Sequence, residues 1–273
     1  MDLYDVKRAY NRLPSHPFYS NQTPVTPRSK YLIAITPRSG STLLAQQLSR
    51  RYGLGHPGEF LNEGFIANFE HLFPTPNLAD FQRFLLNSFT SPEGIFGFKA
   101  DWFRYARARE LEYLPRVYEN IDLYIFMRRR DFVGQAVSLA IAMQSGIWHE
   151  SNIRFERSEA VYAGLVYDEA MIAENVLSLM EQEFGWTSYF ETVSARVIPV
   201  FYEDVATSLD ATLFQVGAAL GARPVEEPAR NFAAAMKPTP SRVNGEWKQR
   251  FLERRGDLVD HWTARRGQVS AVA

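Results

Sequence analysis

Thr36-Pro37-Arg38-Ser39-Gly40-Ser41-Thr42 is the segment of this chain best equipped for chemistry. It separates a short apolar run from an amphipathic one, so its backbone N–H groups should open a helix, where the dipole favours an anion. Ser39, Ser41 and Thr42 add hydroxyl donors, and Arg38 adds a planar fork suited to a phosphoryl or sulfuryl group. An ordinary Ser-capped helix start is the plainer alternative. The segment is not a nucleoside-triphosphate loop: laid on the end of GxxxxGK[ST], it puts Ile35 at the first Gly and Ser41 at the Lys. Arg128-Arg129-Arg130 follows the third strand candidate, where a magnesium-holding Asp would be expected. The site therefore reads as built for a smaller anionic group handled without a metal. Arg130 and Ser138, eight residues apart across a strand-to-helix junction, form a second constellation that could reach one phosphate. A solvated arginine cluster with Ser138 as helix filler is its plain alternative.

These residues need elements to hold them. YLIAI (Tyr31 to Ile35), IFGFK (Ile95 to Lys99), DLYIFM (Asp122 to Met127) and RVIPVFY (Arg196 to Tyr202) are short runs rich in strand formers. Helical patterns follow each: LLAQQLSRRYGL, a stretch around Tyr105 to Leu114, one from about Asp131 to Ser145, and one from Ala206 to Leu220. A longer helical segment is expected from about Ser158 to Phe184, with Leu165, Ile172, Val176 and Leu179 on one face. Strands alternating with helices predict an α/β fold, a central parallel sheet flanked by helices in three layers. In such sheets ligands bind beyond the carboxyl ends of the strands, where Ser39, Lys99, Arg128 and Glu203 should sit. Residues 1–29 carry four prolines and read as an extended N-terminal arm; residues 30–273 read as one domain.

Composition narrows the class. The 273 residues carry 30 basic and 31 acidic side chains, which gives no bulk attraction to nucleic acid or anionic membrane. No apolar run approaches the ~20 residues of a membrane span, and the polar N-terminus is not a signal peptide. With no cysteine there is no disulfide, thiolate zinc site or thiol nucleophile, and the five histidines show no metal-ligand spacing. The chain reads as a cytoplasmic protein. Of its 30 cations 25 are Arg, which suits oxyanion binding but follows equally from Arg-favouring codon usage.

YLIAITPRSGSTLLA at 31–45, HPGEF at 56–60 and RRRDFVGQAVSLAIAMQSGIWH at 128–149 together resemble the sulfotransferases typified by bacterial trehalose 2-sulfotransferase. FGFK at 96–99, YED at 202–204 and NGEWKQRF at 244–251 extend the resemblance from about residue 31 to about 255. NodH-like sulfotransferases of cell-surface oligosaccharides share the first motif.

The resemblance implies a P-loop-like fold and transfer of a sulfuryl group from 3′-phosphoadenosine 5′-phosphosulfate (PAPS) to a carbohydrate or glycolipid hydroxyl, without metal. It assigns the 5′-phosphosulfate to Arg38, Ser39, Gly40, Ser41 and Thr42, and the 3′-phosphate to Arg130 and Ser138. Asp131 directly follows Arg130, unlike the R-x-x-K-D spacing of cytosolic animal enzymes, so Arg128 stands as the alternative ligand. Arg242 is a further candidate for the 3′-phosphate, and Trp247 for the adenine or the core. The family's base matches Glu59, with Glu63 one helical turn on as its competitor. Trp148 and His149 are candidates for acceptor binding. Lys99 is read as approaching the sulfate, with a salt bridge to Asp101 or Glu203 as the alternative. A natural-product hydroxyl remains open as acceptor, and family analogy adds a homodimer. Two other classes stay open: a P-loop kinase, which magnesium-independent turnover would exclude, and a non-catalytic nucleotide-binding homologue, which replacing Glu59 would test.

Overall fold

All four apolar runs form strands: β1 (Ser29–Ile35), β2 (Ile95–Asp101), β3 (Leu123–Arg128) and β4 (Arg196–Phe201). They make one parallel sheet in the order β2-β1-β3-β4, with Ile33 opposite both Lys99 and Ile125, and Ile125 opposite Ile198. The structure is a computed structural model, and it describes residues 21–63, 77–148, 164–225 and 242–270. These form two compact units, a sheet unit (to Ile35, Gly40–Arg128 and 193–225) and a helical unit (Thr36–Ser39, Arg129–Thr192 and 242–270).

In the sheet unit, alternation sorts each strand's side chains by face. Tyr31, Ile33 and Ile35, with Leu123, Ile125 and Met127 and then Ile198 and Val200, form one core with Leu44 and Leu48 of α1 (Ser41–Tyr52) and Leu213 and Val216 of α7 (Tyr202–Ala219). Each such fully buried side chain contributes about 1.5–3 kcal/mol of burial energy. Phe96 of β2 faces the other way, stacked with Phe60, which tilts against Phe89 of α2 (Leu78–Phe89). The Tyr31 ring lies so close over Gly97 that a Cβ there would come 2.2 Å from its Cζ. Pro199 sits in β4, at the sheet's edge, where its missing N–H costs least. Of the expected arm, residues 21–29 are described; its backbone is held by Asn87, which accepts from Val25 N at 2.8 Å and donates to Thr23 O.

β2 lies on one side of β1 and β3 on the other, so the chain's crossover direction reverses at the carboxyl ends of β1 and β3. In open parallel sheets that reversal marks the ligand end. The chain leaves β1 into the Thr36–Thr42 segment and β3 into Arg129 and Arg130.

The helical unit packs α5 (Phe132–Ser145), α6 (Glu169–Phe190) and α8 (Arg242–Ser270) around Val137, Ala140, Ile172, Val176, Trp247, Phe251 and Trp262. α6 begins later than its periodicity predicts, because Asp168 caps it by accepting from Met171 N at 2.9 Å; residues 149–163 of that expected stretch lie outside the described residues. Similarly α3 (Trp102–Glu110) starts early, where Asp101 accepts from Arg104 N, and α4 (Pro115–Tyr118) is a single turn after it. Reading by pattern missed α2 and α8. In α8 the reason is a break at Arg255 (φ -133°). Eleven residues of straight helix span about 16 Å, yet the Phe251 and Trp262 rings stack at 6.3 Å. The helix therefore folds back on itself at Arg255, where Glu169 holds both Arg254 (2.6 Å) and Arg255 (3.1 Å).

Candidate functional site

Gly40 opens the sheet unit's share of the first motif. It has φ +83°, and a Cβ there would lie 2.4 Å from the Tyr202 ring, so conformation and space both require glycine. No side chain caps the α1 N-terminus that follows, which leaves N–H groups at the helix start without a side-chain acceptor. One turn in, the Thr42 hydroxyl accepts from Lys99 Nζ at 3.1 Å.

Lys99 is the meeting point of the sheet unit's polar groups. It stands near the end of β2, 6% exposed, and its ammonium is 3.1 Å from Glu59 Oε1 as well as from Thr42. Backbone bonding places the segment that carries Glu59. The preceding Gly58 makes a parallel bridge with Phe98 on the outer side of β2, and Lys99 N donates to Gly58 O at 2.9 Å. Asn62 Nδ2 adds a bond to Glu59 Oε2 at 3.2 Å. The Glu59 side chain keeps 32% of its surface exposed, so a bound molecule can approach it.

The competing carboxylates have other duties. Arg104 Nε donates to Glu63 Oε2 at 2.9 Å and its Nη1 to Asp101 Oδ2 at 2.7 Å. Burial works against the Arg104 charge, but Asp101 and Glu63 outweigh it and hold the guanidinium above its ordinary pKa. Lys99 thus pairs with Glu59, and with neither Asp101 nor Glu203, the two partners spacing alone suggested. Arg128 is 7% exposed, its guanidinium carbon 4.7 Å from the Phe126 ring centre and 4.8 Å from that of Phe201. That packing lays the guanidinium against two aromatic rings of the sheet unit.

The helical unit holds the first half of the motif. Arg38 adopts φ +64°, uncommon outside glycine, and its guanidinium donates to Ser138 Oγ (3.1 Å) and to the Trp148 carbonyl (2.5 Å). Ser138 therefore meets the arginine of the first motif, whereas sequence spacing had joined it to Arg130. Gln135, one turn earlier on α5, donates to Thr36 Oγ1 at 2.8 Å and Pro37 O at 2.7 Å. The Ser39 hydroxyl is fully buried and has no hydrogen-bond partner.

At the start of α5, Asp131 accepts from Gly134 N at 2.9 Å and pairs with Lys248 at 2.8 Å, while the Arg130 side chain stays exposed. Trp148 is 45% exposed, and His149 lies outside the described residues. Arg242 pairs with Glu246 at the exposed start of α8. Trp247 is buried in the helical core, edge-on to Tyr167, which is a core role and not that of an open stacking surface. Sequence reasoning passed over Gln135 and Asn62. Gln135 carried a usable signal, since it is the polar residue near the start of an otherwise apolar helix.

Among the described residues no group of three or more His, Asp or Glu side chains converges as a metal site would require, and no helix is long and apolar enough to cross a membrane. Residues 94–254 match the model of the Stf0 sulphotransferase family. The trehalose 2-sulfotransferase of Mycobacterium tuberculosis (strain Erdman) is 26% identical over 258 residues, spanning 81% of this chain and 93% of that protein. Its namesake from Mycolicibacterium smegmatis is 25% identical with the same coverage. The solved sulfotransferase domain of the Synechococcus PCC 7002 olefin synthase aligns with 84% of this chain and 98% of its own, at 16% identity and a TM-score of 0.40. The family model covers more than half of the sequence, and this chain is an enzyme of the Stf0 sulphotransferase family.

Proposed function

We propose that the chain transfers a sulfuryl group from PAPS to a hydroxyl of a carbohydrate or glycolipid, with Glu59 as the base. The observation that carries this reading is the Lys99 ammonium, 3.1 Å from both the Glu59 carboxylate and the Thr42 hydroxyl. It links the base candidate to Thr42 of the proposed anion-binding motif within the sheet unit. When bound, PAPS supplies the sulfuryl group and a good leaving group, 3′-phosphoadenosine 5′-phosphate.

The residues present suit such a donor: an uncapped helix start behind Gly40, and a buried Ser39 hydroxyl with no protein partner. In this reading Arg38, Ser39, Gly40, Ser41 and Thr42 hold the 5′-phosphosulfate, and the exposed Arg130 holds the 3′-phosphate. Glu59 takes the proton from the acceptor hydroxyl as that oxygen attacks sulfur in line, and the sulfur–oxygen bond to the 5′-phosphate breaks. Lys99 and Thr42 stabilise the negative charge that builds on the departing oxygens. Before the acceptor arrives, Lys99 also holds the Glu59 carboxylate in place. Trp148 offers an exposed ring against which a sugar can stack. Its neighbour His149 is the other acceptor candidate. Because both curated relatives are named trehalose 2-sulfotransferases, trehalose and other oligosaccharides are the first acceptors to try.

The test pairs binding with transfer. Calorimetry should show 3′-phosphoadenosine 5′-phosphate binding far more tightly than AMP, and radiolabelled PAPS should label a sugar acceptor. Glu59→Gln should cut transfer by about 10²–10⁴-fold, the range of a lost general base, while leaving nucleotide binding unchanged. Transfer that survives Glu59→Gln would remove Glu59 from the mechanism. Failure to prefer the 3′-phosphorylated nucleotide would remove PAPS.

A further inference from the structure

Arg266 lies near the C-terminal end of α8, far in sequence from every motif above, and its side chain is only 14% exposed. Its guanidinium grips a carboxylate on one side: Nε donates to Glu183 Oε2 at 2.8 Å and Nη2 to Glu183 Oε1 at 2.6 Å. Glu183 itself is 8% exposed, so this is a buried bidentate pair of the kind that fixes orientation. On the other side the same fork reaches main chain. Nη1 donates to the Arg130 carbonyl at 3.2 Å, and Nη2 to the Arg129 carbonyl. The guanidinium carbon also sits 5.5 Å from the centre of the Phe132 ring.

Arg129 and Arg130 lie in the turn between β3 and α5, directly after Arg128, and three successive arginines make a repulsive place to fix a backbone. Other bonds also fasten it. The Arg130 carbonyl accepts from Phe132 N at 3.0 Å, and Asp131 caps α5 and pairs with Lys248. Lys248 and Arg266 are 18 residues apart on α8, about 27 Å in a straight helix. They reach adjacent residues of one turn because α8 folds back at Arg255. The fold-back thus delivers a second cation, whose two-sided fork ties the turn's carbonyls to α6.

We infer that Arg266 is a positioning residue for the Arg130 turn: held by Glu183, it fixes the main chain from which Arg130 presents its guanidinium to the 3′-phosphate of the nucleotide. The inference rests on the proposed PAPS reading and assigns a role in it to a residue outside the family's motifs. Lys cannot replace this fork. Arg266→Lys keeps a positive charge for Glu183 but cannot span a carboxylate and two carbonyls at once. A residue that served only to hold the fold together would affect all ligands alike, whereas one that sets Arg130 should affect only those with a 3′-phosphate.

Calorimetry with 3′-phosphoadenosine 5′-phosphate and with AMP, on wild type and on Arg266→Lys, separates these cases. The variant should bind the 3′-phosphorylated nucleotide about tenfold more weakly, on the order of one lost charge-assisted hydrogen bond, and AMP within twofold of wild type. In turnover, KM for PAPS should rise with kcat kept. If Arg266→Lys lowers the melting temperature enough to obscure binding, the double variant Arg266→Gln with Glu183→Gln leaves no buried charge unpaired and should lose the same selectivity. Equal weakening of both nucleotides, or an unchanged ratio, overturns the inference alone. A wild type that does not distinguish the two nucleotides overturns the PAPS reading and this inference with it.

Discussion

The sheet unit and the helical unit hold their functional groups in opposite ways. In the sheet unit Lys99 belongs to a strand paired with β1 along its length, and Glu59 follows a glycine bridged to that strand. Their positions are consequences of backbone hydrogen bonding. In the helical unit Arg38, Ser138, Gln135 and the Arg129–Arg130 turn are tied by long side chains, several of them to carbonyl oxygens. Backbone ladders tolerate side-chain replacement and resist added bulk. Side-chain networks respond the other way, so the two units should differ in which substitutions they fear.

The largest expected effect tests chemistry on the rigid side. Lys99→Met removes a cation that the sheet holds beside both the proposed base and Thr42 of the motif, and should lower turnover by about 10²–10³-fold, as loss of a charge-stabilising donor does. Circular dichroism should remain native, and a comparable fall in folding would break the comparison. Next comes added bulk. Gly40→Ala combines a left-handed φ with a contact 2.4 Å from Tyr202, and should cost about 2–4 kcal/mol, readable as a lowered denaturation midpoint. Trimming Tyr202 to Ala in the same chain should return the steric part only.

Gln135→Leu is the counterpart for the helical unit. It leaves Thr36 Oγ1 and Pro37 O without their donor and should cost about 1–3 kcal/mol. Nucleotide affinity should fall as well, since the motif's first residues lose their tether; unchanged affinity would show that the network is not needed to shape the motif.

The smallest effect sharpens the role of the α8 fold-back. The hydrogen bond from Arg255, opposed by desolvation and reinforced by Arg254, holds the Glu169 carboxyl below its usual pKa. A carboxyl with a depressed folded pKa contributes stability that is present above its unfolded value, about 4.3, and is lost as pH falls through the folded value. Glu169→Gln should therefore be slightly less stable than wild type at neutral pH, with the gap closing below about pH 4. A gap that stays constant to acid would mean that the ion pair is not what anchors the bend.

The same contrast explains what could be read from the sequence. Strands and the helices after them follow from apolar runs and caps, and the proposed anion-binding motif follows from small residues at a strand-to-helix turn; all four strands appear within about two residues of their runs. The resemblance singles out Glu59 as a candidate, but its placement leaves no trace in the sequence, because a single isolated bridge at Gly58 has no period. Ser138 was matched to Arg130 by spacing, yet its partner Arg38 lies 100 residues away. α8 was missed because the break at Arg255 interrupts its period and its surface is densely charged. Arg266 could not be read at all: its partners include carbonyl oxygens, which every residue possesses. The fate of Trp247 turned on what surrounds it, and Tyr167 and the helical core supply that answer.

The bridge at Gly58 has one more consequence, which concerns the molecule's behaviour in a crowd. β2 is an outer strand of a sheet, and such a strand offers unspent N–H and C=O groups to any neighbour able to zip onto it. Here Gly58 takes the N–H of Lys99 at one end of that rim and Ser91 takes the carbonyl of Ile95 at the other. The short stretch that bears the carboxylate is therefore also a plug against strand-to-strand recruitment between copies. Remodelling it to change acceptor preference would risk insoluble protein before it altered selectivity, so variants designed there should be screened for monodispersity first.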